Sequence, residues 1–210
     1  MGSIHETSAR GWVGLKTMAA DRRAWGAAVG IFLWSFCPFL GTAQFYYQST
    51  ALKLSPLFIG GLSTAGGLAG VAGAVLFGRL SAREGGTARL VRWSILAGAP
   101  LSLLYFLYIG PGSILALTVL FALTGVVFRL AWMDLAARLC PEGAEATGFA
   151  AFMAVFNIAA AASNWTGGVL YERLAASHGA YTAMAALSLV GTLWTVAAWP
   201  ALRAAAPDVR

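Results

Sequence analysis

The chain has 210 residues and a formal net charge of +6, with 59% hydrophobic and only 10% charged residues and a mean hydropathy of +0.73. A soluble domain carries roughly 25% charged residues, so this composition excludes a soluble globular protein and identifies an integral membrane protein. The basic surplus sorts to one side of the apolar segments, as shown below, and therefore reports membrane orientation rather than a nucleic-acid partner.

Residues 1–23 precede the first apolar run and are punctuated by Arg10, Lys16, Asp21, Arg22 and Arg23, which excludes a signal-peptide core. Trp12, Val13, Leu15 and Met18 lie between those charges. The segment is therefore either an amphipathic helix on the cytoplasmic membrane surface or a disordered tail, and Ser3 followed by Glu6 fits a capping box.

Six apolar runs follow, each long enough to cross a hydrocarbon core that needs about 20 helical residues. The first covers about 24–47 and ends at QSTALKLSP; Pro38 and Gly41 are placed to bend it, and Cys37, Gly41, Gln44 and Gln48 share one arc. The second covers about 57–80. Its Gly66 and Gly70 form a GxxxG pair, with Gly73 one turn on, a surface that another helix can approach closely. The third covers about 90–109 and stops at GPGS, where Pro111 and the flanking glycines break the helix. The fourth covers about 114–137, the fifth about 146–170 and the sixth about 180–199, separated by RLCPEGAE and YERLAASHG. A barrel is excluded because its strands would alternate apolar and polar residues with a period of two, which these runs do not. The predicted organisation is a six-helix transmembrane domain over 24–200, with a cytoplasmic tail at 201–210.

Basic residues in short loops remain cytoplasmic. One side of the six spans collects Arg10, Lys16, Arg22, Arg23, Arg79, Arg83, Arg89, Arg92, Arg138, Arg203 and Arg210, against Lys53 and Arg173 on the other. Both termini are expected in the cytoplasm, with the protein multi-pass in the cell inner membrane. Chemistry of the enzyme kind has no candidate. Cys37 and Cys140 lie at different depths, His5 and His178 are far apart, and Ser63 has no histidine partner for intramembrane proteolysis. No catalytic residue, cofactor or metal is expected.

The polar residues inside the spans are more informative. At about 100° per residue, Thr118, Ala122, Gly125, Arg129 and Ala136 share a small-residue stripe, while Leu117, Leu120, Leu123 and Val127 face the other way. Arg129 lies about 12 Å inward from Ala137 at the helical rise. A lone arginine at such depth costs at least roughly 2.5–3.5 kcal/mol, so water, a partner residue or a substrate anion should meet it. Asp134 lies elsewhere on the helix, four residues before Arg138, in the acid-before-base order that favours a local salt bridge. On the fifth helix Asn157 and Asn164 share a face with Ala150, Met153, Ala154, Ala161 and Gly168. Such a stripe either lines a cavity or joins helices by hydrogen bonds, and the surrounding alanines favour joining.

GRLSAREGGTARL, residues 78–90, resembles the basic loop motif of the major facilitator superfamily: Gly78, Leu80, Arg83 and Gly85 match, and Ala82 stands where that motif has aspartate. Residues 32–62 and 137–170, with Pro141, Glu142, Gly143, Glu145, Phe149 and Asn157 in succession, are similar to the carboxy-terminal half of folate-biopterin transporters. The resemblance implies half of a major facilitator fold: six transmembrane helices arranged as two inverted three-helix repeats. It places the first and fourth helices along a substrate path and so implies substrate contacts at Gln44 and Arg129, and Asn157 of the fifth helix is a further candidate substrate contact. Structural roles fall to Gly66, Gly70, Gly78, Arg83, Asp134 and Arg138.

By this resemblance the chain is a half-size secondary transporter of a small organic anion of the folate or pterin type. It would work by alternating access with a second six-helix unit, either another copy or a separate chain. The other reading is a transport-incompetent truncated membrane domain, or a scaffold whose polar stripes only hold helices together.

Overall fold

The computed structural model describes residues 2–205, with side chains from residue 11 onward. The Ser3 and Glu6 side chains of the proposed capping box, together with His5, Arg10 and the 206–210 stretch that includes Arg210, lie outside this description. The described residues are helical throughout, joined by short turns and with no strand. They comprise α1 (Gly2–Ala20), α2 (Arg22–Ser35), α3 (Thr42–Tyr46), α4 (Pro56–Ser81), α5 (Gly86–Leu96), α6 (Gly98–Leu103), α7 (Pro111–Arg138), α8 (Glu145–His178) and α9 (Ala180–Ala205). A π-helical turn, Tyr47–Ala51, extends α3, and a 3₁₀ turn, Leu104–Leu107, extends α6. Five helical stretches are long and apolar enough to cross a membrane: α4, α5 with α6 (Gly86–Leu107), α7, α8 and α9.

The first predicted span is not one helix. It divides into α2 and α3 around a break at residues 36–41. Pro38 supplies no backbone N–H and disfavours a helical conformation at the residue before it. Gly41 then takes φ +62°, which glycine adopts without a Cβ clash. A second difference lies between the fifth and sixth spans. Residues 171–178, expected as loop, continue α8 to His178, and the turn into α9 is made at Gly179 with φ +86°. Nothing before Gly179 in YERLAASH breaks a helix, and a helix need not stop where the hydrocarbon does. Pro200 likewise sits inside α9, which continues to Ala205 into the stretch expected as a tail.

Helix starts follow capping chemistry. The Asp21 carboxylate accepts from the Arg23 N–H at 2.8 Å, and Ser55 Oγ accepts from Phe58 N–H at 3.2 Å with Pro56 at the first helical position. Both satisfy amide groups that have no partner within the helix.

Packing is set by small residues. α4 lies mainly along α7, with Gly66 facing Thr118 and Ala122, Gly70 facing Val126, and Gly73 against the Leu123 backbone. The tight backbone approach is at Gly73, whereas the Gly66–Gly70 pair meets α7 side chains at near-ordinary van der Waals distance. Gly78 is different: nothing stands within 4 Å of where its Cβ would be. α2 lies mainly along α9, where Gly26 meets the backbone of Ala201, Ala204 and Ala205. Towards the middle of the bundle Gly30 faces the Trp132 ring, whose indole N–H donates to buried Ser94 Oγ at 3.0 Å.

These contacts gather Arg22, Arg23, Arg79, Arg83, Arg89, Arg92, Arg138 and Arg203 at one end of the bundle, leaving Lys53 and Arg173 at the other. One apolar cluster, including Ile31, Val91, Trp132, Phe152 and Leu202, fills the basic end. Another, including Phe39, Tyr47, Tyr105, Tyr108 and Met184, fills the opposite end. α1 docks beside the basic end through Gly11 on Thr147, Gly14 on Ala144, and Met18 beside Gly148, with Trp12 and Val13 turned outward and exposed.

At the basic end the Asp134–Arg138 salt bridge forms at 3.0 Å, as its spacing predicts. The same carboxylate also accepts from Thr87 Oγ1, tying α7 to the start of α5. Thr87 is buried, so Thr87→Val should cost about 0.5–1.5 kcal/mol as a lost hydrogen bond, visible as a lower melting temperature of the purified protein. Asp134→Asn retains an acceptor for Thr87 and loses only a partly exposed ion pair, worth roughly 0.2–1 kcal/mol. A larger fall for Asp134→Asn than for Thr87→Val would reverse the ranking.

Candidate functional site

Between the two apolar clusters lies a cavity of about 360 Å³. The α2–α3 break makes one wall, because residues 36–41 leave the helical path and seat against α8 and α9. Gly167 faces the Pro38 backbone, Gly168 faces Thr42, and Gly191 faces the Phe39 ring. A side chain at Gly167 or Gly191 would unseat the break, and one at Gly168 would press on Thr42 at the start of α3. α6, α7, α8 and α9 complete the lining.

Aromatic side chains dominate the walls: Trp34, Phe39, Tyr105, Phe121, Phe128 and Phe156. Ser35, Ser102, Thr124, Ser163, Asn164 and Thr195 contribute polar groups among them, and Arg129 contributes the cavity's one charge among the described residues. Ser35 Oγ is buried without a hydrogen-bond partner among the described residues. Apolar walls with a few convergent polar groups are the usual composition of a small-molecule site, and the volume falls within the roughly 300–1,000 Å³ common for such sites.

Arg129 is held over the Phe156 ring, with Cζ 5.3 Å from the ring centroid. The contact is worth roughly 0.5–1 kcal/mol at an exposed site and about 2 when dry. It orients the guanidinium without neutralising it. Among the described residues the one ion pair is Asp134–Arg138, so the exposed Arg129 charge in the cavity lining is met by no carboxylate.

The other two residues expected at the substrate path lie elsewhere. Gln44 is outside the lining and donates from Nε2 to Tyr108 Oη at 2.8 Å. Asn157 is exposed on α8, two turns nearer the basic end than Asn164, which does line the cavity. Asn164 Oδ1 sits 1.9 Å from where a Cβ on Gly41 would be, so the asparagine and the break are fitted to one another. Periodicity places both asparagines on one stripe, and of the two only Asn164 meets the cavity. Of the motif residues, Arg83 is exposed in the turn after α4, where its carbonyl accepts from Gly86 N–H at 2.7 Å. No group of three or more His, Cys, Asp or Glu side chains suited to a metal ion occurs among the described residues.

The family model of the BT1 family matches residues 3–204. The chain belongs to the BT1 family. It is 28% identical over 186 residues to the folate-biopterin transporter of Synechocystis sp., covering 82% of this chain and 37% of that protein. It is 30% identical over 156 residues to the probable folate-biopterin transporter 4 of Arabidopsis thaliana, covering 70% of this chain and 32% of that protein. This BT1-family chain therefore spans about a third of the length of the curated relatives it matches. No solved structure matches it. Its apolar helices and family membership together make it a multi-pass membrane protein.

Proposed function

We propose that this chain is one six-helix half of a secondary transporter for a small organic anion of the folate or pterin type, working by alternating access with a second six-helix unit. The observation that carries the reading is the Arg129 guanidinium, aligned on Phe156 at the mouth of an aromatic-walled cavity and paired with no acid among the described residues. A flat heteroaromatic ring suits the Phe and Trp walls, hydroxyls and Asn164 suit its polar edge, and a carboxylate suits the guanidinium. A scaffold has no use for an uncompensated charge beside a cavity.

The arrangement of helices supports the half-transporter part. α2 meets α8 and α9, and α7 meets α5 and α4, the span pairs that two inverted repeats would relate, with the main partner differing between the halves: α9 for α2 and α4 for α7. The outer side of α4 is unpartnered, with Leu57, Leu68, Val71 and Val75 exposed and Gly60, Gly61, Gly67 and Gly78 open, a surface suited to a second unit. In this reading the basic end faces the cytoplasm.

Equilibrium dialysis of the purified chain against radiolabelled folate tests the ligand class. Saturable binding that unlabelled folate or biopterin competes away is the expected result, and the absence of competable binding for both would overturn it. Cross-linking in native membranes tests the second unit, with a species larger than the 21.9 kDa chain expected and only monomer counting against it.

A further inference from the structure

We propose that Tyr108 is the latch of a gate that closes the cavity on the side opposite the basic end, and that the α3 segment is the gate's moving part. The proposal rests on the membrane orientation given above for its inside and outside, but on no particular substrate.

Tyr108 has no solvent exposure, and its hydroxyl oxygen accepts from two amides, Gln44 Nε2 at 2.8 Å and Gln48 Nε2 at 2.5 Å. Those glutamines lie one turn apart on α3 and its π-helical extension, so one phenol ties both to the end of the third span, while Thr42 and Tyr46 pack the segment on Gly168 and Tyr171 of α8. Beneath this bond is a continuous aromatic layer. Phe39 and Tyr105 meet edge to face at 4.8 Å, Tyr105 stacks on Phe121 at 4.6 Å, and Tyr108 packs on Tyr105 at 5.3 Å and on Tyr47 at 6.4 Å. Phe39, Tyr105 and Phe121 line the cavity, whereas Tyr108 and buried Tyr47 stand on its far side. The layer therefore stands between the cavity and the bond from Tyr108 to the two glutamines.

The α3 segment is built to move as a unit. At its inner end Pro38 and Gly41 interrupt the backbone hydrogen bonding that would tie it to α2, and at its outer end the π turn leads into the 52–55 linker. Helical interruptions of both kinds are common where a segment hinges. Releasing the two amides from Tyr108 costs the buried hydrogen bonds unless water follows them in, so the latch closes the layer when intact and wets it when broken.

Cys37 provides the readout, because it lines the cavity that the layer borders. In a Cys140→Ser background, intact cells are treated from outside with a membrane-impermeant maleimide. Cys37 should label slowly in the otherwise native chain, against fast labelling of an Ala176→Cys reference at the outer end of α8 in a chain that also carries Cys37→Ser. Tyr108→Phe keeps the ring and removes the acceptor, and should raise the Cys37 rate about tenfold. Gln48→Met removes one donor at similar volume and should give a smaller rise, a check that survives if Tyr108→Phe accumulates poorly. Rates unchanged in both variants, or native labelling as fast as the reference, would overturn the latch. Outside labelling of Cys140 in a Cys37→Ser chain would overturn the orientation and with it the external placement. Neither measurement involves folate, so failure of the ligand reading is scored separately.

Discussion

Arg129→Leu should abolish competable folate binding by the purified chain while leaving its abundance in the membrane unchanged or higher. The two effects have opposite signs for one reason. Arg129 is exposed along the cavity and no acid pairs with it among the described residues, so leucine strands no partner and removes at most the roughly 2.5–3.5 kcal/mol that insertion scales assign to an arginine at a helix centre. With a carboxylate bound, the same group would make charge-assisted, bidentate hydrogen bonds, and hydrogen bonds to charged groups contribute about 1.5–3 kcal/mol each. Arg129→Lys keeps the charge and loses the planar fork, so binding should weaken without vanishing. Asn157→Ala should bind like the native chain, because Asn157 lies outside the cavity lining. The reading fails if leucine at 129 binds folate normally. It also fails if leucine lowers abundance, since that is the signature of a structural partner left stranded.

Gly167→Val should be among the most destabilising single changes in the chain. A Cβ at this position would stand 2.1 Å from the Pro38 carbonyl oxygen and 3.0 Å from its carbon. Both are backbone atoms, so no side chain can swing away, and α8 and the break must separate. Overpacking of this kind costs about 1–3 kcal/mol or more, and here it also displaces one cavity wall, so melting temperature and folate binding should fall together. Gly60→Ala is the matched control. Its Cβ meets nothing within 4 Å, and exchanging a mid-helix glycine for alanine gains roughly 0.5–1 kcal/mol, so the melting temperature should hold or rise. Equal melting temperatures for the two variants would show that the break is not seated on Gly167.

Much of the architecture was legible in the sequence because a membrane makes local demands. Each span must be apolar and must satisfy its own backbone, so hydropathy locates α4 and α7 and places the remaining spans to within a few residues at most ends. The Asp134–Arg138 pair and the Gly66–Gly70 face are equally local, since four residues is one helical turn and the geometry between such neighbours is already determined. The depth of Arg129 follows from the same arithmetic, and its cost calls for water, a partner residue or a substrate anion to meet it.

What the sequence could not decide depends on groups far apart in the chain. Pro38 and Gly41 permit either a bend or a break, and the break forms because Gly167, Gly168 and Gly191, on two other helices, leave room to seat it. Gln44 reads equally well as a ligand for substrate or for protein, until Tyr108, 64 residues away, claims it. Asn157 and Asn164 occupy one stripe of α8, but only the second reaches the cavity wall made by the break. Periodicity tells which side of a helix a residue takes. Which partner waits there is set by how the helices assemble, through contacts of steric fit and hydrogen bonding that no single helix contains.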